Sequence, residues 1–120
     1  MKRIVITAIV SSVATLGVMN LLGGAKAGYS EKVILNNAKV TVTERVIDVG
    51  VGRDPHIRET DQVIVFLNDT AYDRVDAQTG KVERRARKSG EVIWHDKGEH
   101  APKLITRGAR PMRSLVIALK

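Results

Sequence analysis

Cysteine is absent from the 120-residue chain, which excludes disulfides, thiolate metal sites and thiol nucleophiles. Aromatic side chains are nearly absent as well. One Trp, two Tyr and one Phe leave few platforms for stacking nucleic-acid bases. There is no glycine-rich phosphate loop ahead of a helix, and Ser30, Ser89 and Ser114 lack the context of a nucleophile elbow. Beyond the N-terminal segment no amphipathic helical period of useful length occurs, and there is neither an internal repeat nor a low-complexity linker.

The one long apolar run lies at the N-terminus. Lys2 and Arg3 form a basic start, residues 4–22 are mostly apolar, and Ala25-Lys26-Ala27 has the small-x-small pattern that precedes cleavage. Residues 1–27 therefore read as a signal peptide cleaved after Ala27, leaving a domain of residues 28–120 in the periplasm or secreted. An uncleaved anchor is the competing reading, weakened by Ser11, Ser12, Thr15 and Asn20 within the run. A bacterial lipid anchor would need a cysteine at the cleavage site. Without Lys2, Arg3 and Lys26, 17 basic side chains face 13 acidic ones, a formal +4 rather than the +7 of the whole chain. That surface is mildly basic, so no nucleic-acid partner is expected, nor stable membrane insertion once the signal is removed.

Residues 28–120 are punctuated like an all-β domain. A polar lead-in over residues 28–32 precedes a short apolar run, which Asn36 and Asn37 close in a turn. From Lys39, Val40 and Val42 alternate with Thr41, Thr43 and Arg45, predicting a strand with a valine face. Glu44 falls on that face, where a carboxylate marks either a pocket or a bulge or rim position. Residues 50–61 form a polar loop, and the unbroken apolar run 63–67 predicts an inner strand covered on both faces. Gly80 centres a hairpin whose second arm carries Arg84, Arg85, Arg87 and Lys88, expected to be a solvated edge strand. Strands over residues 91–95, 102–106 and 114–119 complete the pattern, with a turn at Gly98. Trp94 is expected in the core or lining the barrel, and His95 is expected to face outward or pack beside Ile93.

Two spacings in this pattern resemble the motifs of the small cupins, the double-stranded β-helix or jelly-roll barrels. Their first motif runs Gly, five residues, His-x-His, three or four residues, Glu, six residues, Gly. Here Gly50 leads after five residues to His56-Ile57-Arg58, then after three to Gln62 and after six to Asp69. Their second motif runs Gly, five residues, Pro-x-Gly, two residues, His. Here Gly90 leads to Asp96-Lys97-Gly98, and His100 arrives one residue early. The resemblance spans nearly all of residues 28–120 and implies a single small cupin-like barrel with its site at the mouth.

Metal-binding cupins hold a divalent ion with three His and one Glu. This chain offers His56, Arg58, Gln62 and His100 at those positions. Arginine has no lone pair to donate, and a glutamine carbonyl is a weaker ligand than a carboxylate. The first expectation is thus a pocket lined by His56, Arg58, Gln62 and His100, with Trp94 and Glu44 as further contributors, taking a small polar or anionic molecule. Outside the family pattern, His56 reads equally as a loop histidine satisfied by backbone. The alternative is a metal-dependent oxygenase or isomerase in which His56, His100 and Gln62 hold Fe, Mn, Ni or Zn, with Glu59, Asp61 or Glu44 as a further carboxylate. A third reading is a structural homodimer with a relic site, since the resemblance implies pairing through sheets.

Overall fold

The computed structural model describes residues 27–120, so the expected signal segment lies outside the described residues apart from Ala27. Among the described residues there is no helix. The strands are β1 (Tyr29–Asn36), β2 (Val40–Ile47), β3 (Gly52–Arg53), β4 (His56–Ile57), β5 (Gln62–Phe66) and β6 (Thr70–Val75). They continue with β7 (Val82–Arg87), β8 (Val92–His95), β9 (His100–Ala101), β10 (Lys103–Arg107) and β11 (Met112–Leu119).

Turn chemistry sets these boundaries. The Asn37 side-chain carbonyl accepts from the backbone N–H groups of Lys39 and Val40, at 2.8 and 2.9 Å, and so reverses the chain between β1 and β2. Between β6 and β7, the Asp76 carboxylate accepts from Gln78 N and Thr79 N, and Gly80 takes φ +74°, as the hairpin pattern predicts. The polar lead-in to β1 is itself strand: Tyr29 already pairs with Ile47.

A five-stranded sheet, ordered β1-β2-β11-β5-β8, faces a four-stranded sheet, ordered β3-β10-β6-β7, while β4 and β9 form a separate antiparallel pair. Paired residues share a face and neighbours alternate. The register Ile47–Met112, Arg45–Ser114–Phe66 and Thr43–Val116–Ile64 therefore defines the inner face of the larger sheet. Ile47, Ile64, Phe66, Met112 and Val116 meet Tyr72 from the smaller sheet to form the buried core, with the Phe66 and Tyr72 rings stacked at 6.5 Å.

Three expectations are corrected here. The ladder between β2 and β11 runs unbroken from Val40–Leu119 to Ile47–Met112, so β2 has no bulge at Glu44. The register shift lies in β1, between Val33 and Leu35. Glu44 shares the outer face with Val40, Val42 and Val46 and is balanced there by Arg113 at 2.9 Å, rather than by a pocket. β5 is an inner strand, but Val63 and Val65 on its outer face are only half-buried.

Candidate functional site

The two sheets and the β4–β9 pair enclose a cavity of about 240 Å³. Six arginines line it: Arg45, Arg53, Arg58, Arg74, Arg85 and Arg87. Apolar surface from Ile64, Phe66, Tyr72, Ile93, Leu104 and Met112 makes up much of the remaining wall, and His95, Glu99 and His100 join it beside Arg58.

Arg58 is placed by backbone rather than by its own strand. Its N–H donates to the Glu99 carbonyl at 3.0 Å, and its carbonyl accepts from Gly98 N at 2.8 Å. Gly98 closes the turn at φ +86°, a conformation that strains residues with a Cβ. The Arg58 side chain is 5% exposed; Nη1 donates to Gln62 Oε1 at 3.1 Å, and Nε stands 4.0 Å from Glu99 Oε1 without a hydrogen bond. Gln62 thus acts on the site through Arg58.

Arg53 is 7% exposed and comes from β3, where it pairs with Leu104. Its Nη2 donates to the Pro102 carbonyl, while its Nε is buried without a partner. No carboxylate forms an ion pair with Arg53 among the described residues. Burial, followed by repulsion from Arg45 and Arg58, pulls its pKa down to about 10, well below the ordinary guanidinium range. A buried cation left in this condition is costly unless an anion is brought to it.

The other four arginines have carboxylates. Arg45 donates to Glu31 at 2.8 Å; Arg87 meets Glu91 at 2.6 Å and the Tyr72 hydroxyl at 3.1 Å. Arg74 and Arg85 share Glu83, at 3.3 and 3.1 Å.

Of the residues expected in the pocket, Arg58 and His100 line the cavity and Gln62 touches it through Arg58. The structure does not bring His56, Trp94 or Glu44 to the lining. His56 pairs with Ala101, and His100 with Ile57, so the two imidazoles leave opposite faces of the β4–β9 ladder. The His56 ring is exposed, with Nδ1 3.4 Å from the Asp54 carbonyl. Trp94, opposite Val63 on the outer face, is 50% exposed and donates Nε1 to Asp96 at 2.8 Å. His95 faces inward opposite Gln62, on the same face as Ile93, and meets Glu99 at 3.1 Å; of the two placements expected for it, the one beside Ile93 fits and the outward one does not. Burial, and then the charge of Arg58, lowers its pKa below 6.5.

The metal set fails on its donors. Among the described residues no three His, Asp or Glu side chains are grouped closely enough to share an ion. His56 and His100 diverge, and Arg58 brings a positive charge to the position where a third imidazole would be needed.

No protein-family model and no curated protein matches the chain. Solved structures do. A cupin domain from Bordetella pertussis Tohama I superposes with a TM-score of 0.68 at 18% identity, covering 82% of this chain and 99% of that one. A polyketide cyclase from Streptomyces resistomycificus gives 0.62 at 21% identity over 78% of this chain and 66% of its own. A sugar phosphate isomerase of the cupin superfamily from Silicibacter pomeroyi gives 0.58 at 16% identity, over 78% and 60%. The chain is a small cupin-fold protein. At these identities the likeness establishes the barrel and leaves its chemistry to the residues inside.

Proposed function

We propose that this cupin-type protein binds a small anionic molecule inside its barrel. The observation that carries the reading is Arg53, a buried guanidinium that lines the cavity with Arg58, has no carboxylate partner among the described residues and keeps a buried Nε without a hydrogen bond. Low-dielectric surroundings strengthen a charge-assisted hydrogen bond from such a donor, and the guanidinium fork suits carboxylate or phosphate oxygens. Neighbours of this fold include enzymes, but the metal-dependent oxygenase or isomerase reading is the weaker one here, because the donor set is broken by Arg58 and by the divergence of His56 from His100.

Calorimetry and thermal unfolding with acetate, phosphate, sulfate and citrate, each against an uncharged analogue, test the binding reading. Anions are expected to bind and raise the melting temperature, and Arg53→Gln with Arg58→Gln to remove the effect. If no anion shifts the wild type, the reading fails. Stoichiometric uptake of iron, manganese, nickel or zinc by the protein would instead favour the metal-dependent alternative.

Two further elements belong to the same proposal. Export follows from residues 1–27, and mass spectrometry of protein from the periplasm or medium should find Gly28 as the first residue. Pairing of two copies is supported by the outer face of the five-stranded sheet. There Leu35, Val42, Ile117, Val63 and Trp94 lie in one register row, with Val65 and Val92 beside them. Sedimentation equilibrium checks it: a dimer that Val63→Glu dissociates supports the pairing, and a monomer at all concentrations refutes it.

A further inference from the structure

The six arginines divide into closed pairs and open clusters. Arg45 with Glu31 and Arg87 with Glu91 are each one cation on one carboxylate. Among the described residues Arg53 and Arg58 have Glu99 alone, and only Arg58 approaches it, at 4.0 Å. Arg74 and Arg85 also have one carboxylate between them, Glu83. Each of these two clusters is left with one formal positive charge.

The clusters are held apart. Arg53, Leu104 and Arg74 form one register row across β3, β10 and β6, so the two arginine backbones lie two strand spacings apart, about 10 Å. The Arg53 guanidinium is tied to the Pro102 carbonyl, whereas Arg74 is drawn the other way, toward Glu83 on β7. Leu104 occupies the row between them, with Tyr72 on the adjacent row. Two cationic points separated by apolar surface fit two separate anionic groups better than one doubly charged centre.

Resting on the anion-binding reading, we propose that the ligand class is a small dicarboxylate with an apolar spacer. One carboxylate sits at Arg53 and Arg58, the spacer crosses Leu104, and the second carboxylate meets Arg74 and Arg85. The cavity of about 240 Å³ has room for it, being equivalent to roughly eight waters at about 30 Å³ each. The Arg74 and Arg85 side chains are more than a third exposed, at 38% and 36%, so the second carboxylate stays partly hydrated and contributes less than the first.

The test is calorimetric titration of the protein with glutarate and adipate, against valerate and hexanoate as single-charge analogues and glycerol phosphate as a single-centre dianion. A dicarboxylate is expected to bind about tenfold more tightly than the monocarboxylate of equal length, and Arg74→Gln to bring that ratio close to one. Arg85→Gln, with its fold checked by circular dichroism, repeats the measurement should Arg74→Gln not fold. A ratio near one in the wild type, a ratio unchanged by both substitutions, or tighter binding of glycerol phosphate than of either dicarboxylate would overturn the dicarboxylate while leaving anion binding intact. Absence of binding by every anion would remove both.

Discussion

Replacing Arg53 by methionine separates a cation kept for structure from one kept for a ligand. A pKa lowered to about 10 by burial and by the neighbouring arginines corresponds to a cost on the order of 3 kcal/mol for carrying the charge in the folded state, at ~1.4 kcal/mol per unit. Against this, the substitution takes the donor from the Pro102 carbonyl, a loss of about 1–3 kcal/mol. Methionine retains most of the apolar contact of the arginine stem. The balance runs from neutral to a gain of about 2 kcal/mol, and for a domain of this size that is no change or a rise of roughly 10 °C in melting temperature. Removing a cation from a satisfied buried pair would instead cost about 3–5 kcal/mol, a fall of roughly 12 °C or more. The assay is thermal unfolding followed by circular dichroism near neutral pH, in a buffer low in anions. A fall of that larger size, with the native spectrum retained below the transition, would refute the argument that the Arg53 charge has no carboxylate partner among the described residues.

Core, surface and histidine sites give three further expectations. Ile47, 1% exposed at the centre of the cluster, should lose about 2–5 kcal/mol on Ile47→Ala in urea unfolding; a loss under about 1 kcal/mol would show the core lies elsewhere. Asp73, on the outer face of β6, is held below its ordinary pKa of 3.8 by hydrogen bonds from Arg84 and Arg107. Its contribution is therefore present above that value and lost as pH falls through the lower folded value, so the stability gap between wild type and Asp73→Asn should narrow in acid. An equal gap at neutral and acid pH would contradict it. His95 is depressed below 6.5 by burial and Arg58, so the unfolded chain takes up its proton first and stability falls as pH drops from about 6.5. The urea midpoint of His95→Gln should lose less on that descent than wild type, and an unchanged slope would show that other groups, His56 among them, dominate it.

The strand order along the chain was legible because turn residues mark it locally. Asn37, Asp76, Gly80 and Gly98 stand where the chain reverses, and the spacing from Gly50 to Gln62 and from Gly90 to Gly98 carried the cupin resemblance. Much of the interior was not legible, and β2 shows why. A valine face opposite a threonine and arginine face reads as core opposite solvent, yet Arg45 lines the cavity while Val40, Val42 and Val46 face out. A barrel that encloses a polar cavity inverts the pattern that a packed core would impose. β7 deceived in the same manner: it is an edge strand, but Arg85 and Arg87 alternate inward while Arg84 bonds to Asp73 outside. Arg53 and Arg74 gave no local signal, since only the pairing of β3, β10 and β6 puts them in one row. Glu44 and Trp94 went astray because the outer face of the larger sheet carries the apolar residues expected inside, with Arg113 and Asp96 answering their polar atoms.

The most direct measurement of the central claim is an anomalous-scattering map from a crystal of the protein soaked in bromide. A bromide peak inside the barrel, against the Arg53 and Arg58 guanidinium groups, is the result this account predicts. Bromide found only on the outer surface, with none inside the barrel, would contradict it.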